Sequence, residues 1–191
     1  TVRNNTKSGT SGSTHIFYNT NLGANGFENI YNNNFYGNTA SGTGTVYCLY
    51  TNSVATATKN IYGNNIYNNT SGGPLQSLTQ TLGLTANVYK NQIYNNSSTS
   101  ALTTAGLVRG ITASSGTTVY IYNNFVSDLK ATTAAGTDAI RGIEISSTSA
   151  SSTYGVYNNT VYLNASSSGA NFGTTGIYHT RSATATTAVL D

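Results

Sequence analysis

The sequence predicts an all-β chain coiled as a parallel solenoid, and three observations carry that prediction. A motif returns about every 30 residues, short β-branched and aromatic runs alternate with turn residues, and charge is nearly absent. The 191 residues include 33 Thr, 26 Asn and 22 Ser beside 20 Gly, one Pro and no Trp or Met, and only 7% are charged. Asn, Ser, Thr and Gly are poor in helix interiors, where their side chains compete for backbone hydrogen bonds or leave the backbone too free. The hydrophobic fraction of 37%, with Gly added, is close to that of folded domains and argues against full disorder.

The repeat is read directly. Ile30-Tyr31-Asn32-Asn33-Asn34-Phe35-Tyr36-Gly37-Asn38 recurs from Ile61 to Asn69, from Val88 to Asn96 and from Val156 to Asn164. Ile121 to Val126 keeps the first half, and Val2-Arg3-Asn4-Asn5 reads as a copy reduced to its apolar residue and Asn pair. Aligned this way, the fourth position is always Asn: Asn5, Asn33, Asn64, Asn91, Asn124 and Asn159, separated by 28, 31, 27, 33 and 35 residues. A second Asn, at Asn38, Asn69, Asn96 and Asn164, follows in the complete copies. Between these copies lies a second motif with an apolar start: Ile16, Val46, Leu75, Val108, Ile140 and Ile177. From there to the next first motif is 13 to 16 residues, whereas the stretch from the Asn to the second motif ranges from 11 to 18, so one loop per repeat is expected to absorb the length variation.

Three short runs per repeat cannot each bury a face alone. Stacked coils solve this, each strand pairing with its equivalents at ~4.8 Å around a shared apolar interior. About six coils are expected. At the corner the Asn column is expected to supply a residue that tolerates positive φ, and an amide that bonds to its own copies without a charge to desolvate.

The pattern Φ-x-Asn-Asn-x-Φ-x-Asn-Asn, where Φ is apolar, resembles the repeat of right-handed parallel β-helices of the pectin-lyase-like type, from about Val2 to Ile177. The stretch from Asn158 to Gly173 is also similar to repeat segments of large secreted surface proteins of Bacteroidetes-type bacteria. The resemblance implies a right-handed coil with an Asn ladder and an extracellular or cell-surface location. For enzymes of the fold it implies acidic polysaccharide substrates handled by clustered carboxylates, bound calcium or a basic residue.

Little in the chain matches that chemistry. Glu28, Asp128, Asp138, Glu144 and Asp191 fall at unrelated offsets in the repeat. His15 and His179 stand at different offsets from their apolar anchors and read as isolated polar positions. Arg109 and Arg141 share one register, each followed by Gly and Ile, with Glu144 near, and could contact a small anion or an acidic sugar. Two Tyr registers, Tyr31, Tyr62, Tyr89, Tyr122 and Tyr157 and then Tyr36, Tyr67, Tyr94 and Tyr162, are expected to point outward. They stabilise stacking as aromatic ladders, with a platform for glycans as the sharper alternative. The lone Cys48 excludes an intrachain disulfide, no cofactor or metal motif occurs, and the scattered basic residues of a +3 chain exclude a nucleic-acid footprint. No run is long enough to span a membrane.

The reading is one solenoid segment, residues 1–191, without caps at either end, so that further coils or copies stack head to tail on it. The expected function is a non-enzymatic structural or adhesive module of a secreted or surface fibre. A carbohydrate-active domain is the alternative, and an ice-binding solenoid, suggested by Thr56-Ala57-Thr58 and Thr184-Ala185-Thr186, the lower one.

Overall fold

The computed structural model describes residues 1–20, 23–147 and 151–181. Asp191 and the Thr184-Ala185-Thr186 segment lie outside the described residues. The described chain is all β, without a helix, and every strand pairing is parallel. Each turn of the coil passes through four sheets, numbered I to IV in the order the repeat meets them. Sheet I stacks Phe27–Tyr31, Thr58–Tyr62, Thr85–Tyr89, Thr118–Tyr122 and Thr153–Tyr157. Sheet II stacks Val2–Arg3, Asn34–Tyr36, Asn65–Tyr67, Gln92–Tyr94, Phe125–Ser127 and Thr160–Tyr162. Sheet III consists of two-residue strands such as Thr39–Ala40 and Ser97–Ser98. Sheet IV carries the longest strands, among them Val46–Asn52, Leu75–Thr81, Val108–Ala113, Ile140–Ser147 and Thr174–Arg181.

Four strands per turn replace the three expected. Sheet III escapes a sequence reading because its strands are short and built of Thr, Ser, Ala and Lys, without the β-branched apolar runs that mark a strand. The six motif copies become six strands of sheet II but five of sheet I, because the chain enters sheet II once before its first sheet I strand. Length variation is largest, as expected, in one connection: sheets III and IV are joined by three to nine residues, sheets IV and I by three to seven.

Alternation on the sheets builds the core. Ile30, Ile61, Val88, Ile121 and Val156 point inward from sheet I, and Phe35, Ile66, Ile93 and Val126 from sheet II. Leu49, Leu78, Ile111 and Ile143 meet them from sheet IV. These columns repeat because each coil solves the same packing problem at the same height.

Two Asn ladders hold the corners on either side of sheet II. In the first, the backbone N–H and the side-chain Nδ2 of Asn33 both donate to Oδ1 of Asn64, and the same double bond runs on to Asn91, Asn124 and Asn159. Nδ2 donates its second proton to the main chain of the previous turn: Asn64 to Ile30, Asn91 to Ile61, Asn124 to Val88 and Asn159 to Ile121, all at 2.8–2.9 Å. Both amide protons and both oxygen lone pairs of an interior rung are thereby used. The second ladder runs Asn5, Asn38, Asn69, Asn96 by the same bonds. It stops where Leu129 takes the next place, and Asn96 Nδ2 turns to Ser77 Oγ at 3.0 Å.

Three expectations are corrected here. Asn5 belongs to the second ladder, since Val2 pairs with Phe35 and not with Ile30. Asn164 is exposed and outside the bonded column, because its register mate is Leu129. The left-handed corner residue is not the ladder Asn but the one before it: Asn32, Gly63, Lys90, Asn123 and Asn158 have φ of 53–63°. The ladder Asn sits just past the corner, where its side chain turns inward to be buried.

Substitution of Asn91 by Ala should therefore strand the backbone N–H and the amide of Asn64, at ~1–3 kcal/mol for each buried group left unpaired. Asn60, bonded only to its surface neighbours Asn29 and Asn87, should change stability by about 0.5 kcal/mol or less as Ala. Urea midpoints of the two variants measure the contrast. Cys48 is fully buried and its thiol is pushed up by desolvation, so it should resist a thiol reagent at pH 8 in the folded protein and react completely in denaturant, as counted by labelling.

Candidate functional site

Most outward columns are monotonous. Sheet I shows a Thr column (Thr58, Thr85, Thr118, Thr153), a shorter Asn column (Asn29, Asn60, Asn87) that ends at Tyr120, and the Tyr column, side by side. The five rings Tyr31, Tyr62, Tyr89, Tyr122 and Tyr157 stack with centroids 4.9–5.1 Å apart and planes within 8°. Tyr36, Tyr67 and Tyr94 stack likewise at 4.8–4.9 Å on sheet II, and Ser127 separates them from Tyr162. Burial and the adjacent rings raise the pKa of the Tyr122 phenol. Rings stacked this way cover one another's faces, so interior rungs present edges and hydroxyls, not the faces on which a sugar stacks.

Sheet IV is different. Its strands break alternation at one place, where the cross-strand pairing skips a small buried residue just before a buried apolar one: Cys48 before Leu49, Ser77 before Leu78, Gly110 before Ile111, Gly142 before Ile143. The first of each pair must be small, since a Cβ on Gly110 would lie 2.6 Å from Val126 Cγ1 and one on Gly142 2.4 Å from Val161 Cγ1. The bend turns the two flanking outward columns toward each other and makes this face concave. One column reads His15, Tyr47, Gln76, Arg109, Arg141, Thr175, the other Tyr18, Tyr50, Thr79, Thr112, Glu144, Tyr178. No residue type repeats through either.

At the lower end His15 stacks on Tyr47 at 4.8 Å, and contacts inclined at 35–71° join His15 to Tyr18 and Tyr50, and Tyr50 to Tyr18 and Tyr47. His15, expected to be isolated, joins this cluster because its strand begins at Thr14, two residues before the apolar anchor read from the sequence. Partial burial lowers its pKa. His179 instead takes an inward register position opposite Ile145 and is exposed.

At the upper end the stacked arginines are neutralised. Glu144 Oε2 lies 2.7 Å from Arg109 Nε and 3.0 Å from Arg141 Nη1, and Asp138 Oδ2 lies 2.6 Å from Arg141 Nη2. Two carboxylates that share no register offset thus converge on one guanidinium, which also lies 3.4 Å over the Tyr178 ring. Burial opposes the Arg141 charge, but its bonds to Asp138 and Glu144 outweigh that and raise its pKa. Thr175 Oγ1 donates to the other oxygen of Asp138. The remaining carboxylates stand apart, Asp128 at a left-handed corner and Glu28 in the core.

Between the two ends a groove of about 210 Å³ is lined by Tyr47, Tyr50, Gln76, Thr79, Arg109 and Thr112. Thr112 Oγ1 is buried in its wall without a hydrogen-bond partner, and Arg109 Nε meets Glu144 outside hydrogen-bond geometry. A larger space of about 330 Å³ lies beneath the first turn, between Val2, Ala40 and Val46. These apolar side chains share its lining with the polar Asn5, Thr6, Lys7 and His15 of the first turn. Among the described residues no three His, Cys, Asp or Glu side chains are placed to share a metal ion.

The fold and its ladders define the chain as a parallel β-solenoid with Asn side-chain ladders. Compared with known protein families, curated proteins and solved structures, it matches none.

Glu144→Gln should leave Arg109 and Arg141 in register with the shared counter-charge removed, at ~3 kcal/mol, the low end for a broken buried pair because Arg109 is partly exposed. Adding Arg109→Gln should recover most of the loss, a coupling that a double-mutant cycle in urea reads directly.

Proposed function

We propose that the chain is a non-enzymatic structural and adhesive module of a secreted or cell-surface fibre, which extends by stacking coils and contacts glycans along its side. The observation that carries this reading is the unbroken Asn ladder through five turns. A ladder of this kind has a direction, donors toward one end of the coil and acceptors toward the other, and is complementary to a further coil or copy placed head to tail. Such a rod is stiffened by columns that need no charge. The groove on sheet IV is where its side chains stop repeating, and its aromatic, guanidinium and hydroxyl groups are the kinds that hold a sugar. The Tyr ladders offer the same ligand hydroxyl rows and ring edges.

A carbohydrate-active domain is the second reading, favoured by the approach of Asp138 and Glu144. Both carboxylates are already engaged by Arg141, so neither is left free to exchange a proton with a substrate as such chemistry needs.

Retention on insoluble polysaccharides separates these surfaces. Replacing Tyr47 and Tyr50 by Ala should weaken retention about tenfold, the ratio that 1.4 kcal/mol supplies, whereas Tyr62→Ser with Tyr89→Ser and Tyr122→Ser should weaken it less. Loss only in the ladder variant would move the contact to sheet I, and no retention on any polysaccharide would remove the glycan part of the reading. Release of reducing or unsaturated ends by the unaltered protein would replace it with the enzymatic one.

A further inference from the structure

Glu28 and Lys59 face each other on the first two strands of sheet I, in an inward column that Ala86, Val119 and Tyr154 fill in later turns. Both are shut off from solvent, with Lys59 0% and Glu28 4% exposed. Lys59 is the one buried lysine among the described residues. Its Nζ lies 3.9 Å from Glu28 Oε2 and donates to Thr51 Oγ1 at 2.8 Å and to the Thr81 carbonyl. The carboxylate is gripped at both oxygens: Asn19 Nδ2 donates to Oε1 at 2.7 Å, and Ser53 Oγ donates to Oε2. Burial lowers the Lys59 pKa to about 8, against the attraction of Glu28, so a neutral amine is accessible to this side chain near neutral pH.

We propose that Glu28 and Lys59 form an intramolecular isopeptide bond that staples the first two turns of sheet I. A proton passes from the Lys59 ammonium to Glu28 Oε2, leaving a neutral amine beside a neutral acid. Nζ then attacks Cδ, and Asn19 Nδ2 stabilises the negative charge that develops on Oε1. The Nζ–Cδ bond forms, the Cδ–Oε2 bond breaks, and Oε2 leaves as water with the transferred proton and a second from Nζ, relayed by the Ser53 hydroxyl. An ammonium and a carboxylate become one amide and one water, with no redox partner and no change in net charge. The dry interior favours the step twice, by bringing the neutral amine of Lys59 within reach and by removing two buried charges. It also supplies the proximity that replaces a second molecule.

The mass of the intact chain, measured in denaturant after folding, tests this. The expected value is the sequence mass less one water, with a peptide map that contains a linked pair bearing Glu28 and Lys59 and shows no tryptic cut after Lys59. Lys59→Arg and Glu28→Leu should each restore the unmodified mass, whether or not the variant folds well. The full sequence mass with cleavage after Lys59 would overturn the proposal and leave an ion pair, and so would a water loss that maps to any other residues.

Discussion

The amide of asparagine, closed on itself, is the interaction on which the solenoid depends. A corner buried between two sheets leaves main-chain donors and acceptors that cannot pair along a strand, and each unpaired group is costly. One Asn per turn accepts from the N–H and the side chain of the turn below, and donates to the turn above and to the main chain below. Because the oxygen must face a backbone N–H, which can only donate, the orientation of every amide is fixed by the main chain. Charged side chains in the same place would meet their own copies one strand spacing away, so a ladder of this type accounts for the neutrality of the whole composition.

Much of this was legible in the sequence because repetition makes weak signals add. The Asn offsets fixed the ladder from Asn33 to Asn159, and the Tyr registers held over every stacked ring. What was lost lay where the repeat is degraded. Val2-Arg3-Asn4-Asn5 carries too few residues to distinguish the first half-motif from the second, and only the pairing of Val2 with Phe35 decides it. Leu129 breaks the second ladder by a single side chain, which also dislodges Asn164.

The groove was harder to see for a different reason. Arg109, Arg141 and Glu144 were visible as neighbours in register, but their concavity comes from a bend that a string of letters does not show. The signal was present in Gly110 and Gly142, where two glycines in one register mark a close approach of the strand to Val126 and Val161. Asp138 was read as unrelated to Glu144, since it sits in the connection before the strand, where repeat offsets carry no information. Function in a repeat fold is best sought in such places, where columns cease to be uniform.

Uniform columns carry a hazard of their own. A coil whose every outward and corner residue matches its neighbour's holds no address: Asn64 would bind Asn124 as well as Asn91, and Tyr62 would stack on Tyr122 as well as on Tyr89. The mixed contacts supply the missing address. Glu28 has an oppositely charged partner only in Lys59 among the described residues, and Glu144 bridges Arg109 and Arg141, which share one register position in adjacent turns. A slip by one whole turn would keep most ladder bonds yet bury a lone charge, a penalty of several kcal/mol. The few ionic residues of the chain thus act as keys cut at two heights along an otherwise blank shaft, and they tell each turn which one comes next.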